Sequence, residues 1–286
     1  MKPDFTFVTY RDLPALDPDD RLAVDALASR GLRVAAAIWN DPSADWRDAG
    51  IVVIRSTWDY HLDRAGFLRW AESVESVTPL WNRLDVLRWN SHKSYIRDLA
   101  ERGAPVVPTA WIAAGSDPAL RSMLGERGWS RAVVKPAVGL ATAGVFLIDG
   151  SEDSIDRAEG HTRELLRSHD VMVQPYIESV ATYGERSLVF IAGAYSHAVS
   201  KTAFQILAPA GEAGEGLVEA TRDEIDTAQR ILDLVPWDTL YARVDLVRSD
   251  AGEPLLIELE LVEPSLFMSL YPPAAERFAA ALTALL

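Results

Sequence analysis

Arg243, Asp245, Glu258 and Glu260 are the residues whose types and spacing most directly suggest chemistry. Residues 241–247 alternate apolar and β-branched side chains, as do residues 255–262, and Asp250, Gly252 and Pro254 between them are turn formers. Successive strand side chains point to opposite faces. Arg243 and Asp245 therefore share one face, and Glu258 and Glu260 share one face of the partner strand. Val244, Leu246, Ile257, Leu259 and Leu261 are expected to point the other way, into a core. Carboxylates gathered on paired strands repel one another, so a cation belongs between them. Hard oxygen donors without Cys or clustered His favour Mg2+ over zinc or copper. A solvated hairpin face, with Arg243 as partial counter-ion, is the other reading these residues allow.

Further upstream lie two lysines and a loop of small residues. Lys135 sits among valines in a strand over 132–136, and a buried lysine needs a partner. Residues 138–144, VGLATAG, join that strand to another over 145–148. A loop of this kind can lie over phosphates with its backbone N–H groups, although a flexible hairpin turn has the same composition. No Gly-Lys-Ser or Gly-Lys-Thr closes it, which excludes a Walker loop. Lys93 falls in the first turn of a helix expected over 91–102, capped by Ser91 and closed by Gly103. A cation there opposes the helix dipole unless an anion is near; a plain surface lysine is the alternative.

These residues must be positioned by several elements. A strand over 5–9, a helix capped by Asp17 or Asp19 and stopped by Gly31, and strands over 32–39 and 51–55 predict a small parallel sheet. The third strand runs into Arg55-Ser56-Thr57-Trp58-Asp59-Tyr60. Ligands of open α/β sheets bind beyond the carboxyl ends of strands, which makes this loop a candidate acceptor site. There Arg55 is suited to a substrate carboxylate, or to an ordinary pairing with an acid. Helices are expected over 67–76, 118–127, 154–168 and 273–286, and strands over 106–112, 171–176, 185–191 and 195–201. Thr221 and Glu224 form a capping box. Residues 207–216, LAPAGEAGEG, read as a mobile loop or a crossing between lobes.

The chain has 286 residues, 49% hydrophobic and 24% charged, enough for two domains or one large one. Its net charge of −14 argues against nucleic acid or an anionic membrane as partner. Without Cys there is no disulfide scaffold and no thiolate nucleophile. The five histidines show no metal-ligand spacing, and no Gly-x-Ser-x-Gly elbow is present, so hydrolase chemistry is not indicated. No apolar signal region or membrane-length run is apparent, and a cytoplasmic protein is expected.

Taken in order, Lys93, Lys135, the 138–144 loop, the Gln174–Glu178 strand end, Glu185, Arg243, Asp245, Glu258 and Glu260 resemble the ATP-grasp superfamily, in particular its carboxylate–amine ligases. The segment Glu258-Leu-Glu260-Leu-Val-Glu-Pro264 is similar to the Glu-x-Asn-x-x-Ser-Pro of bacterial glutathione synthetases, with Glu260 in the place of Asn. The resemblance implies an α/β fold of two lobes clasping ATP, behind a small parallel βαβ domain. Expected units are residues 1–90, a central lobe over 91–178 with the lid, and a C-terminal lobe over 179–286. It further implies that Lys93 and Lys135 grip the α- and β-phosphates and that Gly139, Thr142, Ala143 and Gly144 belong to the lid. Residues Gln174, Tyr176, Ile177 and Glu178 would form the hinge, with backbone groups of Tyr176 and Ile177 on the adenine edge. Glu185, or alternatively Glu178, would take the ribose hydroxyls. Asp245, Glu258 and Glu260 would hold Mg2+, Arg243 would steady the γ-phosphoryl, and Arg186 and Lys201 would meet the acyl phosphate or acceptor carboxylate. Arg55, Ser56, Thr57, Trp58 and Asp59 would line the acceptor side.

Within the superfamily, the short length, the 55–60 loop and Gly184-Glu185-Arg186-Ser187 look most like the D-cycloserine-forming ligase group. That likeness implies a small amino-acid-like substrate whose carboxylate is activated as an acyl phosphate and closed into a ring by its own aminooxy nitrogen. An intermolecular amino acid or peptide ligase, a small-molecule kinase and a non-catalytic nucleotide-binding module are the alternatives. A homodimer is allowed for.

Overall fold

The computed structural model describes residues 2–140, 142–202 and 214–286. Its first sheet is parallel: β1 (Phe5–Thr9) lies between β2 (Val34–Ile38) and β3 (Ile51–Ser56), with β4 (Leu80–Trp81) beyond β3. The crossover between β1 and β2 is α1 (Pro18–Ala28). It begins where Asp17 accepts the Asp19 N–H at 2.9 Å and Pro18 fixes the first helical position. After β3, α2 (Arg64–Glu75) returns the chain to β4, and α3 (Leu84–Asn90) and α4 (Tyr95–Glu101) follow.

The second sheet is antiparallel, in the order β5 (Ala110–Ile112), β8 (Val171–Pro175), β6 (Ala132–Pro136), β7 (Phe146–Ile148). The helices α5 (Leu120–Arg127) and α6 (Glu152–Leu165) pack on it. A short helix, α7 (Ser179–Thr182), leads into the third sheet. That sheet runs β11 (Gly214–Val218), β10 (Ala194–Thr202), β9 (Glu185–Ile191), β12 (Tyr241–Arg248), β13 (Pro254–Glu260), all antiparallel. Two more helices are α8 (Arg222–Leu232), started by the Thr221–Glu224 capping box, and α9 (Pro273–Thr283).

The apolar faces explain the assembly. Phe278, Ala279 and Leu282 of α9 pack with Phe5 and Phe7 of the first sheet, with Leu27 of α1 and with Val189 and Ile191 of β9. The C-terminal helix thus joins the first and third sheets. On the opposite face of the third sheet, Leu188, Phe190, Val244, Leu246, Leu259 and Leu261 meet Tyr95, Ile96 and Leu99 of α4 and Ile231 of α8. Each such side chain, fully buried, contributes about 1.5–3 kcal/mol.

Several local expectations need correction. Ser91 does not start a helix; it closes α3, donating its N–H to Leu87 O at 3.0 Å. Lys93 consequently lies in the junction between α3 and α4 and donates its N–H to Ala137 O at 2.7 Å, so no conflict with a helix dipole arises. The strand expected over 106–112 shrinks to β5, because Pro105 and Val107 bond instead to Leu256 on the edge of β13. A register shift between Asp245 and Leu246 turns Ile257 out of the main core, into a small cluster with Val107, Val180 and Val247. Of the loop expected over 207–216, residues 214–216 belong to β11 and the rest lie outside the described residues.

Candidate active site

The β12–β13 ladder sets Arg243 opposite Glu260 and Asp245 opposite Glu258. These four side chains line a cavity of about 700 Å³ together with Lys93, Lys135, Glu185, Lys201 and Glu263. Two carboxylates directly across a ladder repel, and the protein answers with cations. Arg243 grips Asp245 with two nitrogens, Nε to Oδ1 at 2.9 Å and Nη2 to Oδ2 at 2.8 Å, and also pairs with Glu260. Lys201, from β10, lies 2.9 Å from Glu185 and 3.3 Å from Asp245. Lys93 pairs with Glu258. Phe267, just past β13, covers the Arg243 guanidinium at 5.6 Å and the Lys201 ammonium at 6.0 Å.

Lys135 is the exception. It is buried on β6, lines the cavity, and makes no ion pair or hydrogen bond among the described residues. Burial lowers its pKa to about 8, against the pull of Glu258. The carboxylates diverge in the same way. Burial works against charge on Asp245, but Arg243 and Lys201 overcome it and hold that group well below the usual range. Burial raises Glu260 to about 7 despite Arg243, with Glu258 and Asp245 adding to the rise. Glu263 is pushed well above the ordinary range by burial and then by Glu260. Glu185 is likewise raised by burial, with Lys201 opposing.

Among the described residues no three Asp, Glu or His side chains converge into a ready-made metal cage. Asp245, Glu258 and Glu260 turn instead toward Arg243, Lys201 and Lys93. Their donor set nonetheless suits a hard divalent cation: all the atoms are carboxylate oxygens, and a bound cation would offset the burial and the like charges of Glu258 and Asp245 that raise Glu260.

The 138–144 loop borders the cavity through Gly139, Leu140, Thr142 and Ala143; Ala141 lies outside the described residues. Gly144 does not line it. Its φ of +73° turns the chain beside Pro136, and an added Cβ would come 3.2 Å from that ring. At the hinge, Gln174 points away and donates to Thr109 Oγ1 at 3.0 Å. The Tyr176 N–H is used by Arg131 O, and the Ile177 carbonyl by the Val180 N–H. The Tyr176 carbonyl and the Ile177 N–H have no hydrogen-bond partner among the described residues. Ile177 packs on Val180 and Ile257, which line the cavity. Glu178 is drawn outward to Arg131, so of the two ribose candidates only Glu185 borders the cavity.

Some expected site residues lie elsewhere. Arg186 alternates with Glu185 on β9 and so faces away, donating to Ser200 and stacking 3.9 Å over Tyr183. Arg55 is not open to a substrate carboxylate: it is 2% exposed, its Nε is 2.8 Å from Asp20, and its Nη2 donates to Pro264 O at 2.9 Å. Ser56 bonds to Asp20, and Asp59 accepts from the Trp39 indole at 2.6 Å. Thr57 is buried with its hydroxyl unpartnered among the described residues; of the expected 55–59 set only Trp58 reaches the cavity. Tyr60, the last residue of the expected acceptor loop, also lines it, as do Glu263, Ser265 and Phe267, for which the sequence suggests no role. The available signal was Glu263 itself, an acid at the apolar end of a strand with no nearby basic residue.

Comparison with known proteins bears on the whole arrangement. The family model described as the N-terminal domain of D-cycloserine synthetase DcsG matches residues 5–82. Over 287 aligned residues the chain is 36% identical to the cycloserine biosynthesis protein DcsG of Streptomyces lavendulae, covering 93% of each. It is similar in structure to D-cycloserine synthetase DcsG, with a TM-score of 0.90 and 33% identity over 98% of this chain and 99% of that one. A D-alanine–D-alanine ligase of Bacillus anthracis, complexed with ATP, shares the fold at a TM-score of 0.72 and 14% identity, over 99% of this chain and 96% of that one.

Proposed function

This chain belongs to the D-cycloserine synthetase family of ATP-grasp ligases, and from that premise we propose that it closes an O-ureidoserine-type amino acid into a ring at the cost of ATP. It is an ATP-dependent ligase that forms C–N bonds. The substrate carboxylate attacks the γ-phosphorus, ADP leaves, and an acyl phosphate results. The oxygen-bound nitrogen of the same molecule's ureido group then attacks the carbonyl carbon, gives up its proton and phosphate departs; the ring nitrogen keeps its carbamoyl group, whose removal takes a further hydrolysis by water.

Phosphoryl transfer asks little of a protein beyond position and charge, and the cavity walls are suited to both. Lys135 and Lys93 receive the α- and β-phosphates, and Arg243 steadies the γ-phosphoryl. The Tyr176 carbonyl and Ile177 N–H offer a free acceptor and a free donor to the adenine edge. Glu185 faces the ribose, and Lys201 the acyl phosphate. Asp245, Glu258 and Glu260 would hold Mg2+, which neutralises phosphate charge. The 138–144 loop shields the acyl phosphate from water. We extend the proposal to units 1–90, 91–178 and 179–286. The three sheets support that division, while α4 and α9 pack across it.

One observation carries most weight: Lys135 is a buried cation beside the small-residue loop that makes no ion pair or hydrogen bond among the described residues. The test is Mg2+-dependent ADP release with O-ureidoserine in the presence of hydroxylamine. An acyl phosphate yields a hydroxamate under those conditions. A stable phosphate ester, or no ADP release with any amino acid, would overturn the assignment.

A further inference from the structure

Glu263 is 6% exposed and lines the cavity, yet it makes no ion pair and no hydrogen bond among the described residues. Buried charged groups are ordinarily paired, and an unpaired one costs several kcal/mol. The neighbouring cations are already engaged: Lys93 with Glu258, Arg243 with Asp245 and Glu260, and Lys201 with Glu185 and Asp245. Burial and Glu260 favour a proton on Glu263 unless a cation comes to it.

The group is also held in place from both sides. Arg55 Nη2 donates to the carbonyl of Pro264 at 2.9 Å, and the Tyr241 hydroxyl lies 2.9 Å from the carbonyl of Val262. Such fixing is what a recognition group needs and what a merely tolerated surface acid lacks. Trp58 and Tyr60, from the end of the first sheet, line the same cavity. Glu263 is the foremost charge acting on the Tyr60 phenol. A carboxylate and aromatic rings lining one cavity are together suited to receive an ammonium group.

We propose that Glu263, with Trp58 and Tyr60, is the subsite that receives the α-ammonium of the amino-acid substrate. The assignment rests on the ligase reading of this cavity. It gives the cavity a polarity between two groups that each lack an ion pair among the described residues, Lys135 toward nucleotide phosphates and Glu263 toward the substrate's own cation.

The test compares wild type, Glu263→Gln and Glu263→Asp in the full chain, using O-ureidoserine and its desamino analogue. For wild type, removing the ammonium should lower kcat/KM by about 30-fold or more, as expected for a buried charge left without its partner. In Glu263→Gln the two compounds should differ by no more than about 3-fold, and Glu263→Asp should be intermediate. Affinity for ATP should stay within about twofold of wild type in both variants, since the carboxylate faces the substrate and not the nucleotide. A wild-type ratio retained in Glu263→Gln, or equal losses for both compounds, would overturn the proposal. Calorimetric binding of the two compounds to the ADP-bound protein gives the same comparison without turnover. Discrimination in binding without ADP release would defeat the ligase reading and leave the subsite standing.

Discussion

Lys135 stands between Val134 and Pro136 without an ion pair among the described residues, and burial lowers its pKa to about 8 against the pull of Glu258. The sign follows from linkage: a lysine whose folded pKa is depressed costs stability, fully below that pKa, and the cost is relieved as pH rises toward the ordinary lysine value. Nucleotide phosphates favour the charged form. Once Glu260 has ionised, above about pH 7, affinity for ATP should therefore hold to about pH 8 and then fall, by at most about tenfold per pH unit. Above that pH, binding should take up a proton, visible as a dependence of the calorimetric heat on buffer ionisation. Lys135→Met should lose the slope and bind ATP about 10- to 100-fold more weakly at neutral pH, the loss of charge-assisted hydrogen bonds. The same variant should be no less stable without nucleotide. A wild-type profile that is flat through pH 9 would remove Lys135 from the phosphate site.

Among the elements, β13 carries the decisive carboxylates and is an edge strand, so its outer backbone groups must be satisfied from elsewhere. Asn90 supplies a substitute ladder, donating to Leu259 O at 2.9 Å and accepting from Leu261 N at 2.7 Å. Asn82 donates to Leu261 O at 2.7 Å, and the Tyr95 hydroxyl accepts from Leu259 N at 3.0 Å. Asn90→Ala would strand the Leu259 carbonyl, a buried acceptor, and would leave the Leu261 N–H unpaired. Each unsatisfied group costs about 1–3 kcal/mol, so urea denaturation should show a loss of about 2–5 kcal/mol. An unchanged midpoint would mean that water replaces the side chain. The alternation that set Arg243, Asp245, Glu258 and Glu260 on one face was legible because a strand's period is short and local. The register shift that diverts Ile257 was not, since it depends on pairing between strands. The Asn side chains were also out of reach: they act across 169 and 171 residues in Asn90 and 179 in Asn82, and no local pattern carries that information. Arg186 could have been set aside from sequence, because Glu185 beside it has the opposite face of the same strand.

At the scale of the molecule, the site depends on how the first sheet is locked to the third, and Arg55 is the bolt. It rises from β3 to pair with Asp20 of α1, donates to Pro264 O beyond β13, and lays its guanidinium 4.8 Å over Tyr241 and 5.5 Å over Phe278 of α9. Its Nη1 has no hydrogen-bond partner among the described residues, which fits a face given to aromatic rings. Arg55→Ala would leave Asp20, 2% exposed, charged and without its cation. Breaking a buried pair from one side costs about 3–5 kcal/mol, a fall of roughly 6–20 °C in melting midpoint for a chain of this size. Asp20→Asn with Arg55→Met should cost less than Arg55→Ala alone, because no charge is left buried. The functional consequence should be just as directional. Freeing Pro264 loosens Glu263 beside it but leaves Lys135 and Lys93 in place, so KM for the amino-acid substrate should rise by about tenfold or more while ATP affinity changes by less than about threefold. If both affinities fell together, Arg55 would be acting on the whole fold, and the lock between the sheets would have no special bearing on the acceptor end of the cavity.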